Sequence, residues 1–178
     1  MTNGTGKLAV VTGASSGIGF ELARLAAADV YDLIIAADET DIHGAAAKLK
    51  AKGANVVSIV TDLSDEEGVE ELVAEIAKAG RPVDLLFANA GRGLGHGFLD
   101  QDDTEWLRVI DTNIVGTLLL IKKVGRQMRE RGEGRILRSP GSCPAPSRPS
   151  ITAPRRLSTP SHLPCARSCG TRASPSPA

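Results

Sequence analysis

The chain has 178 residues, and its 21 Lys plus Arg balance 21 Asp plus Glu, so the formal net charge is zero. A dedicated nucleic-acid binder needs a basic face, which this balance does not provide. No apolar run approaches the roughly 18 residues of a transmembrane helix. The apolar stretch Leu8–Val11 is too short for a secretory signal. We therefore expect one cytoplasmic domain without a nucleic-acid or membrane partner.

The composition changes abruptly after Leu137. Residues 1–137 hold all 21 acidic residues and 15 of the 21 basic ones, whereas residues 138–178 hold six Arg and no acid. The second segment also contains nine of the ten Pro and all three Cys. With so few large aliphatic side chains it cannot offset the entropy of ordering, so we predict a disordered Pro/Ser/Arg-rich tail. The three thiols show no zinc-ligand spacing, and no metal site is expected.

Apolar strands alternate with amphipathic helices through residues 1–137. The predicted strands are 7–12, 32–37, 55–60, 83–88 and one that begins at 135. The predicted helices are 17–28, 39–52, 64–79, one that begins near 102, and 111–131. This alternation indicates parallel pairing with right-handed crossovers, and so an α/β fold with a doubly wound, Rossmann-like sheet. Ligands of such sheets bind at the carboxyl ends of the strands.

Two local patterns give more specific expectations for the helices. Ser64, with Glu67 three residues later, predicts a capping box at the start of the third helix. The first helix shows apolar residues at helical spacing, which predicts one buried face. That face is expected to contain Ile18, Leu22, Leu25 and Ala26.

A glycine-rich turn, Thr12–Gly19, follows the first predicted strand. Its glycines allow a tight turn and let backbone N–H groups approach a pyrophosphate at the start of the next helix. Any tight connection uses glycine, so the turn alone is weak evidence. Its position between a buried strand and an amphipathic helix predicts a dinucleotide site.

Asp38 ends the second predicted strand. A carboxylate at this position accepts both ribose hydroxyls of the adenosine half of NAD and repels the 2′-phosphate of NADP. No Lys or Arg stands at Ser15, at Ser16 or just after Asp38 to neutralise that phosphate. NAD is therefore predicted in preference to NADP, and a surface Asp that opens a helix is the alternative.

Polar motifs also follow the third and fourth strands: Asp62-Leu63 and Asn89-Ala90-Gly91. The long helix carries Asn113. Together with the Thr12–Gly19 turn, these motifs resemble the short-chain dehydrogenase/reductase family over residues 7–137. The turn matches the family's T-G-x-x-x-G-x-G loop, the fourth strand ends in its N-A-G motif, and Asn113 matches its helical catalytic Asn.

The resemblance implies roles for these residues. Asp62 would contact the adenine amino group beside Leu63, and Asn89–Gly91 would line the riboses. Asn113 would hold a water behind a catalytic Lys. The expected cofactor-binding residues are Gly13, Ser15, Ser16, Gly17, Ile18, Gly19, Asp38, Asp62, Leu63, Asn89, Ala90 and Gly91.

The family's catalytic pair is missing from the chain. The resemblance implies hydride transfer between a nicotinamide and a carbonyl or alcohol carbon. In that reaction a Tyr exchanges the proton, and a Lys four residues later lowers the Tyr pKa from about 10. The chain has a single Tyr, Tyr31, and no Lys after Lys123. The last strands and the helix bearing the Tyr are also missing, so we expect an incomplete sheet and an inactive chain.

The tail is consistent with a shifted reading frame. If each codon takes the last base of one present codon and the first two of the next, Ser150-Ile151 permits a Tyr. Pro154-Arg155 then permits a Lys, at Tyr-x-x-x-Lys spacing. We hypothesise a frameshift between Leu137 and Ser139. Two functions therefore remain open. With the frame restored, we expect an NAD(P)-dependent oxidoreductase that acts on a small-molecule substrate. Without it, we expect a non-catalytic dinucleotide-binding fragment.

The resemblance also bears on assembly, because the family's long helix packs in a subunit interface. Without the later strands, an apolar stripe on this helix is expected to face missing partners, which would impair the family's homo-oligomer. The stripe comprises Ile110, Ile114, Leu118 and Ile121.

Overall fold

The computed structural model describes residues 6–95 and 97–138, so residues 139–178 of the predicted tail lie outside the described residues. The strands are β1 Leu8–Thr12, β2 Asp32–Ala37, β3 Val56–Val60, β4 Leu85–Ala88 and β5 Arg135–Arg138. The helices are α1 Gly17–Ala28, α2 Ile42–Lys50, α3 Glu66–Lys78, α4 Asp103–Ile110 and α5 Thr117–Arg131. Each predicted element is present with ends shifted by a few residues. β5 runs one residue past the predicted domain boundary.

All five strands pair in parallel, in the order β3-β2-β1-β4-β5. The chain runs outward from β1 to β3 and then returns to place β4 on the other side of β1. This order confirms the predicted doubly wound sheet. The direction of winding reverses between β1 and β4, which is where ligands of such sheets bind.

Helices cover both faces of the sheet, because successive side chains of a strand point to opposite faces. α1 and α2 pack on one face against residues such as Val11 and Ile35. α3 and α5 pack on the other face against residues such as Val10 and Ile34. Strands buried on both faces need continuous apolar sequences, which explains the unbroken apolar runs of β1 and β2.

The buried face of α1 differs from the predicted one. Gly19 and Ala23 are buried, whereas Ile18 and Leu25 are 65% and 52% exposed. A Cβ on Gly19 would lie 2.0 Å from the carbonyl oxygen of Gly13, so the helix begins too close to the turn for a larger side chain. The prediction for Ile18 and Leu25 was wrong because close approach selects small residues over hydrophobic ones.

Asp65, not Ser64, caps α3. Its carboxylate accepts the backbone N–H of Gly68 at 2.7 Å. The backbone N–H of Ser64 instead donates to the Asp62 carboxylate at 2.9 Å. The predicted capping box with Glu67 is therefore wrong by one residue. Asp and Ser are nearly equal as caps, and the sequence offers both in succession.

One continuous helical path joins α4 to α5 through a π-helical segment at Asp111–Gly116. The sequence predicted an uninterrupted α-helix from Asp111 and gave no sign of the π-helical turns. The segment places Gly116 against the chain just after β3, where an added Cβ would lie 1.7 Å from the carbonyl oxygen of Leu63. π-Helical turns are frequent at functional sites, and this one borders the cleft described below.

The predicted apolar stripe on the long helix is largely exposed. Ile110, Ile114 and Leu118 are 38%, 48% and 58% exposed, as expected. Ile121 is half-buried against the core beneath α3 and α5, so the expectation for it was wrong. The impaired oligomer stays a prediction.

Within residues 6–95 and 97–138, no helix combines the length and hydropathy of a membrane span.

Asp84, directly before β4, joins the amino ends of the central strands. Its carboxylate accepts the backbone N–H of Leu8 at 2.8 Å, and the guanidinium of Arg131 lies 3.3 Å away. Its backbone N–H donates to Leu8, and its carbonyl accepts from Arg135, both at 2.9 Å. One residue therefore fixes the register of β1, β4 and β5 at the end of the sheet opposite the cleft.

Candidate functional site

A cleft of about 420 Å³ opens at the carboxyl ends of the strands, where β1 and β4 meet. Its volume lies in the range of small-molecule sites. We refer to it as the switch-point cleft. It is lined by Gly13, Ser15, Ser16, Ile18, Gly19, Ala36, Ala37, Asp38, Glu39, Thr61, Asp62, Leu63, Asn89, Ala90, Gly91, Arg92, Gly93 and Thr112.

The structure brings most of the predicted site residues together in this cleft. Of the residues expected to bind a cofactor, all except Gly17 line it. Gly17 instead supplies a left-handed backbone, with φ of 56°, at the turn into α1. Asn113 does not line the cleft but lies behind one of its walls. The chemical roles of these residues remain predictions.

Backbone packs directly against backbone at the base of the cleft. Gly13 has a φ of 64°, and a Cβ there would lie 2.9 Å from the Cα of Ala90. Its N–H donates to the carbonyl of Ala36 at 2.8 Å. The glycine-rich turn thus packs its backbone against the chain after β4 and the end of β2, with the Asn89 amide beside it. This leaves the cleft floor open to a ligand.

Thr12 and Asn89 lock the carboxyl ends of β1 and β4 together. The Thr12 hydroxyl, in a residue only 1% exposed, accepts the backbone N–H groups of Asn89 and Ala90 at 3.0 and 2.9 Å. The Asn89 amide donates to the carbonyls of Thr12 and Gly13, both at 3.2 Å. The sequence gave no role to Thr12, because its contacts are with residues far away in the chain.

The amino end of α1 has no side-chain cap. Ser16 is extended at the N-cap position, with φ of −155°, and its hydroxyl makes no capping hydrogen bond. Asp65 and Asp102 cap α3 and α4, whereas α2, like α1, has no side-chain cap. The first N–H groups of a helix need acceptors, and the helix dipole favours an anion there. Because Ser16 and Gly19 line the cleft, this helix end is suited to a phosphate group.

Two ion pairs cross the opposite end of the cleft. The Arg92 guanidinium lies 3.4 Å from the Asp38 carboxylate, and Arg108 pairs with Asp62. Burial opposes ionisation of Asp62, but the N–H of Ser64 and the Arg108 guanidinium outweigh it, so the pKa of Asp62 is lowered. Asp62 is therefore held as a carboxylate at neutral pH.

Arg92 is a cleft residue that sequence reasoning missed. The sequence places no Lys or Arg at the glycine-rich turn or just after Asp38. Arg92 directly follows the Asn89-Ala90-Gly91 motif, and that adjacency was the available signal. The parallel sheet brings the ends of β2 and β4 to the same edge, so a residue after one can reach a residue after the other.

Asn113, in the π-helical segment, holds the backbone of Arg92 from behind. Its side-chain oxygen accepts the Arg92 N–H at 2.8 Å, and its amide donates to the Arg92 carbonyl at 2.9 Å. Arg138 at the end of β5 donates to the Asn113 carbonyl at 3.0 Å. Both ends of the amide are thus engaged with a cleft-lining residue. The water-holding role implied by the family stays a prediction.

Thr112 is a further cleft residue that the sequence did not reveal. The residue is 5% exposed, and its buried hydroxyl has no hydrogen-bond partner in the described chain. A buried polar atom without a partner is costly, and such atoms are uncommon in folded proteins. Among residues 6–95 and 97–138, no group of three His, Cys, Asp or Glu residues could hold a metal ion.

Comparison with known proteins decides the family. A family model described as short chain dehydrogenase matches residues 7–139. The chain belongs to the short-chain dehydrogenase family. A short-chain dehydrogenase/reductase of Armillaria gallica is 33% identical over 142 residues, which cover 78% of this chain and 53% of the relative. An NAD-dependent glycerol dehydrogenase of Listeria innocua is 31% identical over 135 residues, 76% of this chain and 52% of the relative.

Solved short-chain dehydrogenase structures share the fold. A metagenomic short-chain oxidoreductase in complex with NADP gives a TM-score of 0.71 at 27% identity, covering 76% of this chain and 62% of the other. NAD⁺-bound xylitol dehydrogenase gives 0.68 at 31% identity, covering 76% and 53%. This short-chain dehydrogenase spans about half the length of the curated relatives it matches.

Proposed function

We propose that the switch-point cleft binds a nicotinamide dinucleotide. The observation that carries the proposal is the uncapped start of α1, which borders a cleft whose other end presents Asp38 and Asp62. An anion-binding helix end and ribose-binding carboxylates are the two features that a dinucleotide needs.

Each predicted residue has a place in this proposal. The turn Gly13–Gly19 receives the pyrophosphate on its backbone N–H groups. Asp38 accepts the hydroxyls of the adenosine ribose, and Asp62 receives the adenine amino group beside Leu63. Asn89–Gly91 line the riboses from the β4 side. These positions are supported by the residues that line the cleft.

The proposed cofactor is NAD, with NADP as the alternative. Asp38 supports NAD, because a carboxylate repels the 2′-phosphate that distinguishes NADP. The solved relatives include structures with NADP or NADPH and one with NAD⁺, so both forms are compatible with the family. A cytoplasmic location remains a prediction.

The proposed chemistry of the complete protein is the oxidation of an alcohol or the reduction of a carbonyl on a small molecule. The bound dinucleotide would supply or accept the hydride. Relatives named for galactitol and for ketoacyl groups support a reacting carbon of this kind. The chain would orient the nicotinamide ribose through Asn89–Gly91 and support that wall through Asn113.

We propose that the chain as given binds the dinucleotide without turning it over. Its sequence has no Tyr-x-x-x-Lys to exchange the proton, and its single Tyr, Tyr31, precedes β2. The hypothesis of a frameshift between Leu137 and Ser139 explains why the family pattern ends there. If the coding DNA is shifted, the complete protein is an oxidoreductase. If the DNA reads as given, the alternative holds, and the protein is a non-catalytic dinucleotide-binding fragment.

We expect NADH fluorescence titration of the full chain to show saturable binding that 5′-AMP displaces. Ser16→Asp places a carboxylate at the start of α1, where it can cap the helix and repel a pyrophosphate. This change is expected to weaken NADH binding about tenfold, because like charges at that distance repel. Ser16→Asn is the matched neutral control and is expected to weaken binding less. Equal affinities for the two variants would contradict the proposed phosphate position.

We further expect no NADH oxidation by the chain as given with ketone or aldehyde substrates. Resequencing the codons of Gly132 to Leu157 tests the reason. If a base is inserted or lost there, the corrected chain is expected to contain the Tyr and Lys and to oxidise NADH. Turnover by the chain as given would contradict the proposal that this pair is required.

A further inference from the structure

We propose that Arg92 determines whether the switch-point cleft accepts the 2′-phosphate of NADP. It would do so by neutralising Asp38 and offering a guanidinium to the phosphate. This inference rests on the proposed dinucleotide function and concerns one position of that ligand. It also revises the expectation from sequence, which found no cation able to offset Asp38.

The Arg92–Asp38 pair is placed where the adenosine ribose is expected. The guanidinium nitrogen of Arg92 is 3.4 Å from the Asp38 carboxylate, and the two side chains are 36% and 34% exposed. Both residues line the cleft. A half-exposed pair at this distance is weak, so an arriving ligand can share or displace it.

The backbone of Arg92 is held in place, which distinguishes it from an arginine on a free loop. Asn113 bonds both the N–H and the carbonyl of Arg92, at 2.8 and 2.9 Å. The side chain therefore projects from a fixed point beside Asp38. A preorganised cation loses less entropy on binding a phosphate than a mobile one does.

The charges around Asp38 make Arg92 the arginine that is available to bind a 2′-phosphate. Glu39 lines the cleft next to Asp38, so without a cation this end is acidic. Arg108, the other arginine close by, also feels the charge of Asp38, but its guanidinium is paired with Asp62. The guanidinium has five N–H donors in a planar fork, so Arg92 can bond a phosphate and the Asp38 carboxylate together.

The consequence is a cleft that tolerates both cofactors. With NAD, the ribose hydroxyls donate to Asp38 and Arg92 only offsets its charge. With NADP, Arg92 supplies the charge-assisted hydrogen bonds that the phosphate requires. The two ligands thus depend on different members of one ion pair, and substitutions at the two positions should act in opposite directions.

The test compares binding of 5′-AMP and 2′,5′-ADP to the full chain by calorimetry, because these probes differ only in the 2′-phosphate. Arg92→Gln is expected to weaken 2′,5′-ADP binding by about tenfold or more, the scale of a lost charge-assisted hydrogen bond, and to change 5′-AMP binding by less than about threefold. Arg92→Lys should retain most of the affinity for 2′,5′-ADP. Asp38→Asn should weaken 5′-AMP and strengthen 2′,5′-ADP.

The ratio of the two affinities separates this role from a structural one, because a distorted cleft weakens both probes together. If Arg92→Gln leaves the ratio unchanged, or weakens both probes equally, the inference is overturned while the proposed function stands. Should Arg92→Gln fail to fold, an unchanged ratio in Asp38→Asn and Arg92→Lys overturns it instead. If the wild-type chain binds neither 5′-AMP, 2′,5′-ADP nor NADH, the proposed function and this inference both fall.

Discussion

Replacing Gly116 with alanine is expected to lower the free energy of unfolding by about 3 kcal/mol or more, the upper range for overpacking a core. A Cβ at this position would lie 1.7 Å from the carbonyl oxygen of Leu63. That atom belongs to the backbone, so it cannot move aside as a flexible side chain could. In an ordinary helix the same change would stabilise by about 1 kcal/mol, so its sign is diagnostic.

Gly125→Ala is the matched control, since it lies in α5 on the same helical path. Its added Cβ would meet the Cδ1 of Ile136 at 3.4 Å, a contact that a side-chain end can relieve. This variant is expected to be neutral or to gain up to about 1 kcal/mol. Urea unfolding followed by far-UV circular dichroism measures both. Equal stability of the two variants would show that the helix does not approach Leu63 closely.

Thr12→Val is the second change with a large expected effect. It keeps the shape of the side chain but removes the hydroxyl that accepts the N–H groups of Asn89 and Ala90. Each buried donor left without an acceptor costs about 1–3 kcal/mol, so we expect a loss of about 3 kcal/mol in all. Only the bonds from the Asn89 amide would then hold the Asn89–Gly91 wall to β1, so NADH binding should weaken as well.

Thr12→Ser separates the two contributions of this side chain. Serine keeps the hydroxyl and loses only a buried methyl group, so its stability is expected to lie much closer to that of the wild type. Urea unfolding and NADH titration on the same samples provide the comparison. If valine is tolerated as well as serine, the link between β1 and β4 at this end does not depend on the hydroxyl.

The strands and helices were largely predictable because their signals are local. β1 and β2 are continuous apolar runs, which predict buried strands. The clustering of motifs at one edge also followed from the sequence, since parallel strands end together. The parallel sheet thus brings short motifs that are separate in the sequence together in one cleft.

The parts that sequence reasoning missed depend on contacts between distant segments. The burial of Gly19 and Ala23 in place of Ile18 reflects how closely α1 approaches the turn, which hydrophobicity does not report. The π-helical segment and its Gly116 likewise reflect close packing against Leu63, just after β3. The pairing of Arg92 with Asp38 joins residues that become neighbours only when β4 lies beside β1. Spacing along the chain contains none of these distances.

β4 reaches β1 only after β2, α2, β3 and α3 have been synthesised. The side-chain hydrogen bonds that tie the two strands together join residues 75 to 78 positions apart. Closing so long a loop carries a high entropic cost before any contact offsets it, which slows folding. The neighbouring strands β1, β2 and β3 can associate earlier, as a nascent chain leaves the ribosome. Asp84 and Thr12 hold the two ends of this β1–β4 pairing, so the central sheet and the base of the cleft form in the same late event.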